Sequence, residues 1–103
     1  MVTQINPSII DIVRKYLMVL RENNINFDSA YLFGSSIGNE YNEDSDIDVA
    51  IVMNNVSQKF FMEVELMKYR RNIDLRIEPH IITADESISP LSQEIIKTGI
   101  KIL

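Results

Sequence analysis

Three short groups of residues combine types and spacings that could do chemistry. Gly34-Ser35 ends an apolar segment, Asp46 and Asp48 flank Ile47 in the next apolar segment, and Asp74 follows later. Side chains two positions apart on a strand share a face and lie about 6.6 Å apart along it. Two carboxylates so close repel each other unless a cation binds them. The spacing therefore indicates a metal site or, for an isolated Asp-x-Asp, a solvated acidic turn.

The surrounding pattern favours the metal site. The face opposite Asp46 and Asp48 is apolar, so the core would hold both carboxylates rigidly. Asp74 adds a third carboxylate within a later apolar alternation, where an unpaired charge is costly. Three carboxylates on neighbouring strands could hold two divalent cations that clamp the oxygens of phosphoryl transfer. All-oxygen ligands predict Mg²⁺, with Mn²⁺ as the alternative.

Gly34-Ser35 could supply phosphate binding. Glycine lets a ligand approach the backbone, and the residues after Ser35 could begin a short helix whose free N–H groups hold phosphates. An ordinary strand-to-helix turn would use the same residues, so both readings stay open. Tyr41, in the polar turn that follows, could stack on a base.

The sequence does not match two other ligand-binding motifs, the EF-hand and the P-loop. Asp44, Asp46 and Asp48 fit the first positions of an EF-hand loop, but Val49 replaces its glycine and Asn55 its final glutamate. No glycine-rich run ends in Gly-Lys-Ser/Thr, as a P-loop would require. Neither motif is expected to operate here.

Hydrophobic periodicity predicts the elements that position these residues. They are a helix over 7–22, strands over 27–33 and 46–53, a helix over about 57–70, a strand over 73–78, a helix from Ser89-Pro90 and a closing strand over 100–103. Pro79 should mark an edge strand or the end of pairing, and Gly99 an αL residue after the last helix. The second helix should pack on the sheet through its apolar positions, which are Phe60, Phe61, Val64 and Met67.

This order predicts an α/β (α+β) fold in which a mixed β-sheet carries helices packed mainly on one face. We expect the 103 residues to form a single domain, 1–103. Apolar residues make up 46% and charged residues 24%, and the absence of cysteine favours a cytoplasmic protein. No signal peptide or membrane span is expected, since the first basic residue is Arg14 and the apolar runs are short. The net charge of −5 argues against sequence-independent nucleic-acid binding.

The spaced motifs resemble the signature of the DNA polymerase β-like nucleotidyltransferase superfamily. The matching residues are Gly34-Ser35, ten intervening residues, the segment Asp46-Ile47-Asp48-Val49-Ala50-Ile51-Val52 with Ser45 before it, and Ile73-Asp74-Leu75. The length and the ending Glu94-Ile-Ile-Lys-Thr-Gly-Ile-Lys-Ile are similar to the minimal nucleotidyltransferases of that superfamily. The resemblance implies that Asp46 and Asp48 bind both metals, that Asp74 is the third ligand, and that Gly34, Ser35 and Ser45 bind the nucleotide.

The same resemblance implies a small nucleotidyltransferase fold and a two-Mg²⁺ reaction. A nucleoside monophosphate, AMP in the first instance, would pass from an NTP such as ATP to an acceptor hydroxyl, with release of pyrophosphate. Minimal members are often encoded beside a HEPN-domain protein, and some act as antitoxins by adenylylating that RNase. The expected partner is therefore a HEPN-type toxin.

Several alternatives stay open. Gly38-Asn39 stands where many minimal members have Arg-Gly, which affects NTP binding or acceptor choice. Arg76 could contact phosphate or balance the charges of Asp74 and Glu78. His80 is expected to have a structural role or to be exposed, and a role in the site is the less favoured alternative. An interaction module with little turnover is the first rival function; an antibiotic nucleotidyltransferase is disfavoured by the small size. A homo-oligomer is a further alternative.

Overall fold

The computed structural model describes residues 7–34, 46–53, 58–83 and 90–103. Its elements are α1 Pro7–Glu22, β1 Ser29–Phe33, β2 Ile47–Met53, α2 Lys59–Lys68, β3 Ile77–Thr83, α3 Pro90–Thr98 and β4 Ile100–Lys101. The predicted order of helices and strands is confirmed. Within these residues, no helix combines the length and the apolar character needed to cross a membrane.

The four strands form one mixed sheet in the order β3-β2-β1-β4. β1 pairs antiparallel with both β2 and β4, whereas β2 pairs parallel with β3. The predicted mixed sheet is therefore confirmed. Because β2 lies between β1 and β3, residues at the start of β2 meet the end of β1 and the start of β3.

The helices divide unequally between the two faces of the sheet. The larger core includes the apolar stripe of α1 and Leu66 of α2, which lie against the inward side chains of β1, β2 and β3. On the opposite face, Ile95 of α3 packs with Ala50 and Ile82. Asp48 belongs to that second face because its strand neighbours Ile47 and Val49 point into the larger core. Of the three helices in the described residues, two thus lie on the face opposite the predicted site.

The predicted bounds of β3 are wrong. The strand begins at Ile77, whereas residues 73–76 lie in a turn. The Asp74 carboxylate accepts the backbone N–H of Arg76 at 2.9 Å, a local hydrogen bond that competes with strand pairing. Pro79 lies inside β3 and is buried, and β3 is an edge of the described sheet, so the edge-strand reading of Pro79 is confirmed.

Side chains of α2 and the turn after it occupy the outer edge of β3. Arg70 Nη1 donates to the carbonyl oxygen of Ile77 at 2.7 Å, and the backbone N–H of Ile81 donates to Glu63 Oε2 at 3.3 Å. Pro79, which faces the same edge between them, has no N–H to donate. These contacts leave less of the edge available for pairing with another strand.

The predicted packing face of α2 is also wrong. Leu66 is buried, with Met62 and Tyr69 packed beside it, while Phe60, Phe61 and Val64 are exposed. Polar contacts set this rotation of the helix. The Tyr16 hydroxyl donates to the Leu66 carbonyl oxygen at 2.6 Å in the interior, and Glu63 is turned towards β3. Apolar spacing alone did not distinguish the two stripes of α2.

Gly99 does not adopt the predicted left-handed conformation. A Cβ atom at this position would overlap the backbone oxygens of Ile95 and Leu32. Glycine is required there because the end of α3 approaches β1 closely. The left-handed residue at a helix end is instead Asn24, which has a φ of 63° after α1.

Candidate active site

The predicted Gly34 and Asp48 meet where β1 ends and β2 begins. Phe33 pairs with Asp48 across the two strands, and Gly34 follows with a φ of +75°. A Cβ atom on Gly34 would lie 2.5 Å from Asp48 Oδ2. Glycine therefore serves two needs here, since it tolerates the left-handed backbone and leaves room for the carboxylate.

We expect Gly34→Ala to impair both stability and site geometry. The left-handed backbone costs an alanine about 1–2 kcal/mol, and the added methyl group must displace the Asp48 carboxylate. A displacement of about 1 Å in a catalytic group can reduce turnover about 100-fold. Urea unfolding and transfer kinetics measure the two effects separately. Wild-type kinetics in the folded variant would show that the Asp48 carboxylate does not need this space.

Asp46 and Asp48 share one side of β2, as the sequence predicts. Asp46 directly precedes the strand and is exposed, and Ile47 between them is fully buried on the other side. The Ile47 N–H donates to the Arg76 carbonyl oxygen at 2.8 Å, which fixes the start of β2 against the start of β3. Both carboxylates thus stand at the beginning of a strand whose opposite side is anchored in the core.

The parallel pairing of β2 with β3 adds two residues to this side of the sheet. Glu78 lies across from Asp48, and His80 lies across from Ala50. His80 Nε2 is 3.2 Å from Asp48 Oδ1, and Glu78 Oε1 is 3.7 Å from Arg70 Nη1. The sequence pattern predicts no role in the site for Glu78 and a mainly structural role for His80. The alternation of polar residues through 76–80 indicates that they share one face of a strand. Only the pairing register of β3 with β2 shows that this face is the one that carries Asp48.

Asp74 lies in the turn before β3, paired with Arg76. Arg76 Nη2 is 2.8 Å from Asp74 Oδ2, and Arg76 Nε is 3.0 Å from Oδ1. The Arg76 hydrogen bonds hold the Asp74 pKa below its ordinary value, outweighing the partial burial that raises it. The structure thus shows Arg76 balancing Asp74, one of the two roles predicted for it.

The Asp74–Arg76 pair should stabilise the fold in a pH-dependent way. We expect Asp74→Asn to lower the free energy of unfolding by about 1–2 kcal/mol at pH 7, since it removes charged hydrogen bonds of mostly buried groups. Because the pKa of Asp74 is lowered in the folded state, its ionised carboxylate stabilises the fold at pH values above the ordinary pKa near 3.8. The difference between wild type and variant should therefore disappear as pH falls through the Asp74 pKa. Urea unfolding at pH 7, 5 and 3 measures it, and a pH-independent difference would contradict the assignment.

Other predicted site positions lie outside the described residues. These are Ser35 and Ser45, the Gly38-Asn39 turn and Tyr41. Among the residues that are described, no three His, Asp or Glu side chains stand close enough together to hold a metal ion. The site is thus described through Gly34, Asp46 and Asp48 and through their neighbours on β3.

The donor set nevertheless fits a hard divalent cation. Asp46, Asp48 and Glu78 offer only carboxylate oxygens, which Mg²⁺ and Mn²⁺ prefer. Mg²⁺ commonly binds through one or two carboxylates, with substrate phosphates and water completing its shell, so a closed protein cage is not required. Asp48 is 26% exposed, which leaves it accessible to such a ligand.

A mixed sheet with two carboxylates at the start of β2 beside a left-handed glycine defines a small protein of the α/β class. The family model described as "Polymerase beta, Nucleotidyltransferase" matches residues 15–103, so the chain belongs to this nucleotidyltransferase family. Family membership supports nucleotidyl transfer as its general activity.

A solved structure supports the fold independently. A Sulfolobus solfataricus protein described as "a putative nucleotidyltransferase" superposes with a TM-score of 0.62 at 17% sequence identity. The similarity covers 78% of this chain and 71% of that one. No significant match is found among curated proteins. The likeness establishes the nucleotidyltransferase fold, while the activity rests on the family match.

Proposed function

We propose that this chain transfers AMP from ATP to a hydroxyl group of a partner protein, with release of pyrophosphate and with two Mg²⁺ ions. The observation that carries the proposal is the position of Asp48. It stands beside Asp46 on β2, with Gly34 of β1 against one of its oxygens and His80 of β3 against the other. This arrangement occurs in a chain of the nucleotidyltransferase family.

The protein side chains would act mainly by position and charge. Asp46 and Asp48 would hold the cations, with a third carboxylate from the neighbouring segment. Bound there, divalent cations supply charge neutralisation of the triphosphate and a lowered pKa for the acceptor hydroxyl. Gly34 lets the nucleotide approach the backbone, and Ser35 and Ser45 are proposed to bind it. The protein thus contributes a preorganised set of charges.

The third carboxylate is the point on which sequence and structure diverge. The sequence predicts Asp74, but both oxygens of Asp74 accept hydrogen bonds from Arg76. Glu78 pairs with Asp48 across β2 and β3, so its side chain belongs to the same side of the sheet. We therefore propose Glu78 as the third carboxylate, with Asp74 as the alternative. The Glu78 side chain, which lies beside Arg70, would have to turn towards Asp48 when a cation binds.

The proposed acceptor is a HEPN-domain protein, a choice supported by the resemblance to minimal nucleotidyltransferases. The net charge of −5 does not favour RNA as a general acceptor. Adenylylation of the partner would make this chain an antitoxin by covalent modification. An interaction module would instead bind the partner without transfer.

One experiment separates these functions. The chain is incubated with Mg²⁺, the proposed partner, a HEPN-domain protein, and each of the four NTPs labelled at the α-phosphate. We expect label on the partner with ATP, and none when Asp46 and Asp48 are both asparagine. Calorimetry measures NTP binding with and without Mg²⁺. If the wild type showed neither transfer nor Mg²⁺-dependent NTP binding, the proposed function would be wrong and the interaction module favoured.

A further inference from the structure

His80 makes a contact that the proposed reaction does not yet use. Its Nε2 atom lies 3.2 Å from Asp48 Oδ1. An ionised carboxylate only accepts hydrogen bonds, so the imidazole must carry hydrogen on Nε2 and donate it. The contact spans two strands and 32 positions of sequence, so it depends on the parallel register of β2 with β3.

The imidazole of His80 is itself held by a neighbour. The Phe33 ring meets it edge to face, with a centroid distance of 5.2 Å and an interplanar angle of 67°. Aromatic pairs prefer this geometry to a face-to-face sandwich. Phe33 also pairs with Asp48 across β1 and β2. The Phe33 ring thus packs on the histidine at the point where it reaches the carboxylate.

The two oxygens of Asp48 consequently have different surroundings. Oδ1 accepts the hydrogen bond from His80, while Oδ2 lies in the space that Gly34 leaves by lacking a Cβ atom. Rotation of the carboxylate would break the first contact. This difference favours one orientation of the carboxylate before any ligand binds.

We propose that His80 is a positioning residue that orients Asp48 for cation binding, an inference that rests on the proposed function. Mutation of a group that holds a metal ligand in place commonly lowers metal affinity or activity about 10- to 100-fold. Here the geometry assigns that role to an imidazole on β3, held in turn by Phe33. His80 acts through Asp48 and needs no contact with the reacting atoms.

The contact can be tested without metal or nucleotide, because His80 is the one histidine in the sequence. Its imidazole ¹H–¹⁵N correlations are therefore assigned without further work. We expect Asp48→Ala to shift them strongly and the matched control Asp46→Ala to leave them nearly unchanged. Equal responses to the two variants would overturn the inference whatever the chain catalyses.

The functional consequence is tested with two substitutions at His80. His80→Phe keeps a ring against Phe33 and loses the donor, whereas His80→Gln keeps a side-chain N–H. Mn²⁺ is the metal probe, with free ion measured by electron paramagnetic resonance, and transfer kinetics give kcat and KM. We expect H80F to weaken Mn²⁺ binding about 10-fold and to lower kcat similarly, and H80Q to stay within about 3-fold of wild type. His80 is 46% exposed, so both variants should keep the wild-type unfolding temperature.

The outcomes distinguish this inference from the proposed function. If H80F bound Mn²⁺ and transferred nucleotide like the wild type, the positioning role would be overturned while the nucleotidyltransferase proposal stood. Equal losses in H80F and H80Q would also overturn it, because the donor would then not matter. If the wild type itself neither bound Mn²⁺ nor transferred nucleotide, the proposed function would fail and the role of His80 with it.

Discussion

Asp48→Asn is expected to lower nucleotidyl transfer about 1,000-fold while leaving the fold intact. The substitution keeps the size of the side chain but removes the negative charge beside Gly34 and His80. Loss of a preorganised electrostatic contact commonly costs about 100- to 1,000-fold in turnover, and loss of a metal ligand costs several kcal/mol of transition-state stabilisation. Since Asp48 is partly exposed, the free energy of unfolding should change little.

The measurement is the rate at which label moves from the α-phosphate of ATP to the acceptor, with urea unfolding of the same sample. Asp11→Asn on α1 is the matched control, since it changes the net charge equally at an exposed position. Asp46→Asn should behave as Asp48→Asn does. Transfer at the wild-type rate in the folded Asp48 variant would remove the aspartate pair from the mechanism.

Local pattern was enough to predict the parts of the site that lie on one element. The spacing of apolar residues gave α1 its observed bounds, Pro7–Glu22. Alternation around Ile47 placed Asp46 and Asp48 on one side of β2, away from the larger core. These features depend on neighbours within a few positions, where helix and strand periodicities act directly.

The neighbours of Asp48 on β3 could not be found in that way. Ile73, Leu75 and Ile77 alternate as a strand would, yet the hydrogen bond from Arg76 to Asp74 forms a turn there. The alternation continues through Ile81, and the register with β2 selects this later stretch. Which polar residue faces Asp48 is therefore decided by pairing between distant segments, which single-strand periodicity does not contain.

The rotation of α2 was unpredictable for a related reason. Its sequence carries two apolar stripes, and the stripe with Phe60 and Phe61 contains the larger aromatic side chains. The buried stripe contains Leu66, whose carbonyl oxygen accepts the Tyr16 hydroxyl in the core. This hydrogen bond between α1 and α2 favours burial of the Leu66 stripe. A count of apolar residues does not include the contribution of such a hydrogen bond.

Glu78→Gln should lower transfer and leave stability nearly unchanged, whereas Asp74→Asn should lower stability and leave transfer nearly unchanged. The comparison identifies the third carboxylate. We expect Glu78→Gln to lower transfer about 100- to 1,000-fold, because it removes the carboxylate of the residue that pairs with Asp48 across β2 and β3. Its ion pair with Arg70 is long and partly exposed, so stability should change by less than about 1 kcal/mol. Asp74→Asn should leave transfer within about 3-fold of wild type, since Arg76 already occupies its carboxylate, while lowering stability by about 1–2 kcal/mol.

The Glu78 and Asp74 variants are compared by transfer kinetics at saturating ATP and by urea unfolding at pH 7, on the same preparations. Each serves as the other's control, because both replace one carboxylate by its amide and change the net charge by the same amount. Loss of transfer in Asp74→Asn with activity kept in Glu78→Gln would return the third carboxylate to Asp74. The Asp74–Arg76 pair would then have to open when the nucleotide binds, and Asp74 would exchange its hydrogen bonds with Arg76 for a cation.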